Sequence, residues 1–157
     1  DKMELIIQKA VELGAYSVIP VAAKRSIVRL DPKREQARVK RWQAIAESAA
    51  KQSKRSIVPE VRPVSGFPDA LKEAAGFALS LMPYERAGDM GQTRRLLRTA
   101  GPGMDIAVFI GPEGGFEEEE VRQAVEAGVK PITLGKRILR TETAGLCVLS
   151  ALMLLLE

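Results

Sequence analysis

Histidine is absent from this 157-residue sequence, and cysteine occurs only once, as Cys147. Without histidine the chain can form neither a Ser–His nor a Cys–His nucleophile pair, and nearly every common zinc-site pattern is excluded. A single cysteine cannot form an internal disulfide, so nothing indicates an oxidising compartment. The composition therefore predicts no metal site and excludes the commonest hydrolase mechanisms.

Long apolar runs are also missing. The longest, Leu146 to Leu156, is interrupted by Ser150. It is far shorter than the roughly 20 residues that a membrane-spanning helix needs, and no segment has the pattern of a secretory signal. We therefore predict a buried helix in this run and no membrane partner.

What the sequence does contain is sufficient for one folded domain. Hydrophobic residues make up 46% of the chain, charged residues 28% and aromatic residues 4%. Domains most often contain about 100–150 residues, and a chain of this size buries enough surface to fold without disulfides or metal. We predict one domain over residues 1–157 and a cytoplasmic location.

The net charge of +4 hides an uneven distribution. Between Lys24 and Arg62 there are 12 Lys and Arg residues against 4 Asp and Glu, a local balance of +8. A basic block of this kind attracts phosphate backbones without reading their sequence. A solvated helix face would have the same composition, so the charge alone leaves both interpretations open.

Helical and extended patterns alternate along the chain. Asp31-Pro32 combines a capping carboxylate with a proline at the first helical position, and Gly14 is a typical helix stop. The patterns predict helices over 3–13, 32–52, 68–75, 92–99, 116–127 and 141–156, and strands over 16–21, 57–61, 77–82, 106–110 and 131–134. The segment IAVFI at 106–110 is the clearest candidate for a buried strand. The alternation favours an α/β domain with a mainly parallel sheet covered by helices on both faces.

A glycine-rich junction, GPEGG at 111–115, follows the strand predicted over 106–110. Glycines allow a ligand to approach the backbone closely, and open α/β folds bind small molecules at such strand-to-helix junctions. The spacing does not match a P-loop or a GxGxxG motif, and the acidic run 117–120 would repel a phosphate. A ligand-binding loop and a tight turn that merely requires glycine both remain possible.

A second junction, LGKRILRTETA, spans 134–144. Thr141 is placed to cap the helix that follows, but capping does not explain Arg137 and Arg140 beside it. That helix is apolar nearly all round, so one face can pack on the sheet while the rest needs another cover. A homodimer interface is the simplest such cover.

Taken together, GPEGGF and LGKRILRTETA resemble the SPOUT-class methyltransferases of the RsmE type. Three further segments and one dipeptide match that family in order and spacing: KMELIIQKAVELG at 2–14, Arg25-Ser26, RWQAIAESAAKQS at 41–53 and VPEV at 58–61. The resemblance runs the length of the chain. It implies an enzyme that methylates uridine N3 in small-subunit (16S) ribosomal RNA with S-adenosylmethionine (SAM).

The resemblance also implies a fold and partners that periodicity cannot reveal. The fold would be the SPOUT-type α/β knot, with a C-terminal trefoil knot, and the protein would be a homodimer acting on ribosomal RNA or the small ribosomal subunit. Family members carry an N-terminal RNA-binding barrel domain, which is absent from this chain. We expect that its removal explains the start at Asp1.

The cofactor, by the same resemblance, would be held mainly by the backbone of three loops. The residues implied are Leu81, Met82, Pro83, Ile110, Gly111, Pro112, Glu113, Gly114, Gly115, Leu134, Gly135, Arg137, Ile138 and Leu139. Lys136 stands where the family usually has proline, which we expect to loosen the third loop slightly.

For the activity that the resemblance implies, catalytic and RNA-binding residues are predicted from their placement in the sequence: Arg140 directly precedes Thr141 at the mouth of the proposed cofactor loop. Uracil N3 lies on the pairing edge and carries a proton, so the base must be unpaired and the proton removed. We expect Arg140 to stabilise negative charge developing on the uracil oxygens. The proton acceptor stays open between Glu142 and Glu113, because either carboxylate could instead hold backbone amides.

The residues expected to contact RNA phosphates are Arg25, Lys51, Lys54 and Arg55, with Lys51 and Lys54 replacing a more usual Glu and Gly.

Two other functions remain compatible with the sequence. One is a non-catalytic RNA-binding or ribosome-assembly module that keeps the SPOUT fold. The other is a metabolic α/β enzyme that binds a small anionic substrate in the glycine loop, which would leave the basic block unexplained.

Overall fold

The computed structural model describes residues 2–22 and 31–157, which contain six helices with one or two strands between successive helices, seven strands in all. The helices are α1 (Lys2–Glu12), α2 (Pro32–Gln52), α3 (Phe67–Ala74), α4 (Met90–Arg98), α5 (Glu118–Glu126) and α6 (Thr141–Leu156). The strands are β1 (Ser17–Val18), β2 (Val21–Ala22), β3 (Glu60–Val61), β4 (Ser65–Gly66), β5 (Leu79–Pro83), β6 (Ile106–Val108) and β7 (Lys130–Ile132).

The local start and stop signals are confirmed at two helices. Asp31 caps α2 by accepting a hydrogen bond from the backbone N–H of Arg34 at 2.9 Å, with Pro32 as the first helical residue. Gly14 adopts φ +94° after α1, and the N–H of Ala15 then donates to the carbonyl of Ala10 at 2.9 Å. This closure satisfies a carbonyl that the end of the helix would otherwise leave without a partner.

The predicted cap of α6 is wrong. Thr141 is the first residue of the helix, and Arg140 occupies the capping position with φ −65° and ψ 158°. No side chain accepts a capping hydrogen bond there. The first turn instead carries Glu142, whose negative charge is favourable at the positive end of the helix dipole.

A three-stranded parallel sheet, in the order β6-β5-β7, forms the centre of the C-terminal part. Leu79 and Leu81 of β5 share one core cluster with residues of α6. Met82 points to the opposite face, where it packs in a cluster with Phe67 of α3 and Phe116 before α5. Successive strand residues alternate between faces, so the prediction of a parallel sheet covered by helices on both sides is confirmed.

The segment predicted as the clearest buried strand is an edge strand. All three residues of β6 are only half-buried, whereas four of the five residues of β5 are buried. The strand predicted over 16–21 is likewise divided into two two-residue strands on either side of Ile19 and Pro20. These pair in parallel with β3 and β4, of which β4 was not predicted. Apolar composition does not distinguish a central strand from an edge strand, because that depends on which strands pair.

The C-terminal helix is apolar on more than the side that packs. Val148 and Leu152 are buried against the sheet, while Leu154 is 77% exposed and Leu155 is 50% exposed. The predicted excess of apolar surface on this helix is therefore present. None of the helices within 2–22 and 31–157 is long and apolar enough to cross a bilayer.

Candidate functional site

Three loops meet at the carboxyl edge of the sheet and enclose a cleft of about 1100 Å³. They follow β5, β6 and β7, and they contribute residues 83–86, 110–119 and 133–141 to the walls. Parallel strands bring their carboxyl ends to one edge, which is where open α/β sheets bind ligands. The structure thus unites the two junctions 111–115 and 134–140, which are separate in the sequence.

Most of the predicted cofactor residues line this cleft. They are Pro83, Ile110, Gly111, Pro112, Glu113, Gly114, Gly115, Leu134, Gly135, Arg137, Ile138 and Leu139. Arg140 and Thr141 line it as well. Glu142 lies just beyond, with 17% of its side chain exposed.

The side chains of Leu81 and Met82 lie outside the cleft, and their contact with the cofactor through the backbone stays a prediction. Both side chains are fully buried in the two core clusters on either side of β5, and neither lines the cleft. The reason is the central position of β5, which places helices over both of its faces. Only Pro83, at the end of the strand, reaches the cleft.

Glycine is favoured at two points in the cleft wall. A Cβ on Gly111 would lie 3.1 Å from two ring carbons of Phe116, which is itself packed in the core. Gly135 has φ +113°, a backbone conformation that side chains with a Cβ rarely adopt. The glycines therefore shape the loops, and at Gly111 the shape depends on contact with a core aromatic ring.

A buried pair of threonines anchors the loop after β7. The Thr93 hydroxyl donates to the carbonyl of Thr133 at 2.8 Å. The same hydroxyl oxygen accepts a hydrogen bond from the backbone N–H of Thr133 at 3.1 Å. The Thr133 hydroxyl in turn bonds the backbone of Gly135 at 3.2 Å. Because α4 carries Thr93, this chain of bonds connects α4 to the wall of the cleft formed by the loop after β7.

We expect Thr93→Val to lower the free energy of unfolding by about 1–3 kcal/mol, because two buried backbone groups lose their partner at nearly constant volume. Urea denaturation measures this loss, and amide exchange should accelerate over 133–140. Thr99→Val is the matched control, since the Thr99 hydroxyl bonds the Leu96 carbonyl at an exposed position. Equal losses for the two variants would contradict the anchoring role.

Four charged side chains from three segments gather beside the cleft, and we call Lys2, Glu113, Arg140 and Glu142 the charge cluster. Lys2 Nζ donates to Glu113 Oε1 and lies 3.8 Å from Glu142 Oε2. The hydrogen bond and charge of Lys2, and then the charge of Arg140, hold the pKa of Glu113 below its ordinary value. Glu142 Oε1 is buried and has no hydrogen-bond partner among the described residues.

In 2–22 and 31–157, no group of three or more His, Cys, Asp or Glu residues is placed to hold a metal ion.

Sequence reasoning missed several residues of the cleft. Lys2 lines it from the start of α1, 111 positions away from its partner Glu113, and no local pattern could have revealed this. Tyr84, Glu85 and Arg86 also line it. The sequence could have indicated these three residues, because they directly follow a predicted strand, and the loops after parallel strands bind ligands.

The predicted RNA contacts divide into three groups. Arg25 lies outside the described residues. Lys51 and Lys54 are exposed near the end of α2, and Lys54 adopts φ +62°, the conformation that suits the glycine more usual there. Arg55 has a structural contact instead, because its Nη1 donates to the carbonyls of Val11 at 3.0 Å and Ala15 at 2.8 Å. These carbonyls lie at the end of α1, so Arg55 stabilises the packing of α1 on α2, and its contact with RNA stays a prediction.

Residues 1–153 match the family model described as an RNA methyltransferase domain. The chain belongs to this family. Its resemblance to the RsmE type is confirmed by a curated relative in Bacillus subtilis, Ribosomal RNA small subunit methyltransferase E, which is 41% identical over 97% of this chain.

Solved structures share the fold of this RNA methyltransferase domain. One is Ribosomal RNA small subunit methyltransferase E from Neisseria gonorrhoeae bound to SAM, which is 42% identical over 99% of the chain with a TM-score of 0.83. Another is a Legionella pneumophila protein in complex with the bound cofactor SAM, 32% identical over 99% of the chain, with a TM-score of 0.90. The chain spans 60% of the Bacillus relative and 62% of each of these two structures.

Proposed function

We propose that this RNA methyltransferase domain transfers a methyl group from SAM to N3 of a uridine in small-subunit ribosomal RNA. The observation that carries the proposal is the single cleft formed by the loops after β5, β6 and β7. It is supported by relatives named Ribosomal RNA small subunit methyltransferase E and by similar structures that contain SAM.

The cleft suits SAM in size and chemistry. Its volume of about 1100 Å³ lies just above the roughly 300–1,000 Å³ typical of small-molecule sites, so it has room for SAM and part of a target base. Ile110, Leu134 and Leu139 supply apolar walls, while Gly111 and Gly135 leave backbone groups accessible. Apolar walls with a few backbone donors and acceptors are typical of sites that bind an aromatic base. We propose that these residues hold the cofactor.

SAM supplies an electrophilic methyl group on a sulfonium, so the protein must position the uracil and handle one proton. Arg140 lines the cleft directly before α6, and we propose that its guanidinium stabilises the negative charge that the uracil oxygens gain as N3 loses its proton. Its planar, permanently charged fork suits oxygen acceptors.

The two candidate proton acceptors differ in their surroundings. Glu113 lines the cleft but is bound to Lys2, and its lowered pKa makes it the weaker base. Glu142 is largely buried in the first turn of α6, and its Oε1 has no hydrogen-bond partner among the described residues. We propose Glu142 as the acceptor, because its Oε1 has no competing hydrogen bond among the described residues; the side chain must turn from its buried position toward the cleft to reach the uracil.

The finer architecture belongs to the same proposal. We propose that the chain is a SPOUT domain with a C-terminal trefoil knot and that it works as a cytoplasmic homodimer beside an N-terminal RNA-binding barrel domain. The exposed Leu154 and Leu155 of α6 support an apolar dimer interface. The exposed Lys51 and Lys54 support contact with phosphates.

Titration calorimetry with SAM and with the product S-adenosylhomocysteine tests the cofactor. We expect saturable binding of both by the folded chain, and an absence of binding would overturn the proposal. Mass spectrometry of ribosomal RNA from a strain that lacks the protein tests the substrate. The loss of one N3-methyluridine is expected, whereas unchanged methylation with intact RNA binding would favour the non-catalytic module.

A further inference from the structure

We propose that Lys2 is a positioning residue for methyl transfer, because it occupies Glu113 and so leaves the guanidinium of Arg140 free to face the uracil. This inference rests on the proposed function, in which Arg140 acts on the substrate. It assigns a role to a residue of α1, a helix for which the sequence predicted no part in the site.

Of the two cations in the charge cluster, Lys2 makes ion pairs and Arg140 makes none among the described residues. Lys2 makes an ion pair with Glu113 and approaches Glu142 at 3.8 Å. Arg140 forms no ion pair within 4.0 Å in the part of the chain that the structure describes, although its charge reaches Glu113 and contributes to the lowered pKa of that carboxyl. Two cations therefore face Glu113, and the lysine holds it.

Two carboxylates face Lys2 at once. Its Nζ donates to Glu113 Oε1 and lies 3.8 Å from Glu142 Oε2. The side chain of Glu142 is only 17% exposed on the first turn of α6. Lys2 therefore joins the loop after β6 to the start of α6 through two anions.

Removing Lys2 would change which cation Glu113 binds. Arginine and a carboxylate form strong two-pronged hydrogen bonds, and Arg140 is the other cation whose charge acts on Glu113. A guanidinium engaged in this way would have fewer donors for uracil oxygens. The expected defect is therefore in the chemical step, with SAM affinity retained.

The experiment compares wild type, Lys2→Met, Lys2→Arg, Glu113→Gln and the Lys2→Met/Glu113→Gln double variant in single-turnover and steady-state methyl transfer. Misplacing a catalytic group by about 1 Å can lower a rate roughly 100-fold, and we expect Lys2→Met to lose about this factor in kcat with little change in KM for SAM. Lys2→Arg should restore most of the loss. The double variant should equal Glu113→Gln alone, because glutamine cannot capture Arg140.

Lys9→Met is the matched control. Lys9 lies on the same helix and pairs with Glu12 at 2.9 Å, with a side-chain exposure of 37% against 45% for Lys2. It does not line the cleft. The control should leave kcat unchanged, and both lysine variants should keep nearly wild-type melting temperatures, because exposed ion pairs contribute little stability.

A second readout does not depend on activity. The NMR signal of the Arg140 Nε–H, assigned with Arg140→Lys, should shift and exchange more slowly in Lys2→Met, and should return in the double variant. The inference is overturned if Lys2→Met behaves like Lys9→Met, or if the effects of Lys2→Met and Glu113→Gln on kcat simply multiply. It is also overturned if the Arg140 signal is the same in wild type and Lys2→Met. Failure of the proposed function would be a different result, namely no SAM binding or methyl transfer by the wild type.

Discussion

Replacing Arg140 with alanine should lower kcat for methyl transfer by about 100- to 1,000-fold, the usual loss when one stabilising donor is removed from an active site. Arg140 lines the cleft and has no ion pair in the parts of the chain described, so its guanidinium is available to a substrate. SAM affinity should change little, because the cofactor is proposed to bind mainly through loop backbone. Methylation of small ribosomal subunits with radiolabelled SAM measures the rate, and calorimetry measures the affinity.

Two further variants make this test specific. Arg140→Lys keeps the charge but not the planar fork, and should recover only part of the activity. Arg94→Ala removes an exposed arginine of α4 that does not line the cleft, and should match wild type. Full activity of Arg140→Ala would remove Arg140 from the mechanism.

The second large effect is expected on stability. Leu81→Ala should lower the free energy of unfolding by about 2–5 kcal/mol, because it removes a fully buried side chain and leaves a cavity in the core. Leu81 has no exposed surface and packs with Ile132, Val148 and Leu152. Urea denaturation gives the free energy. The SAM affinity of the folded protein should stay within about twofold of wild type, a change of less than about 0.5 kcal/mol, because the Leu81 side chain does not line the cleft.

Leu5→Ala is the control, because Leu5 is 42% exposed on α1. Its cost should stay below about 1 kcal/mol, as is usual away from the core. If Leu81→Ala instead lost SAM binding with little loss of stability, Leu81 would be a direct cofactor contact and its placement in the core would not explain its role.

Local signals in the sequence predicted the helices well. The bounds of α6 agree with the prediction, and α2 begins where Asp31 and Pro32 indicated. These features depend on residues within one or two helical turns of each other, namely capping groups, fixed φ angles and the spacing of apolar side chains. Such interactions are present in the sequence itself, whatever the rest of the chain does.

The loops of the candidate site were also found from the sequence, for a different reason. The glycines and arginines of 111–116 and 134–144 have no role in a regular helix or strand, and they stand where strands give way to helices. Their resemblance to the RsmE type then identified the family. The packing of side chains beside these loops was not evident from the sequence: Leu81 and Met82 lie in the core, and Arg55 bonds the carbonyls at the end of α1.

By itself, the sequence determined the alternation of helices and strands, the family and the two junctions that line the cleft. Only the tertiary structure decided that β5 rather than β6 is the central strand, that Arg55 closes the end of α1, and that Lys2 meets Glu113 across 111 positions. The reason is that strand order, burial and ion pairing between distant segments depend on how the elements pack. Periodicity and motifs report only the residues nearby in the chain.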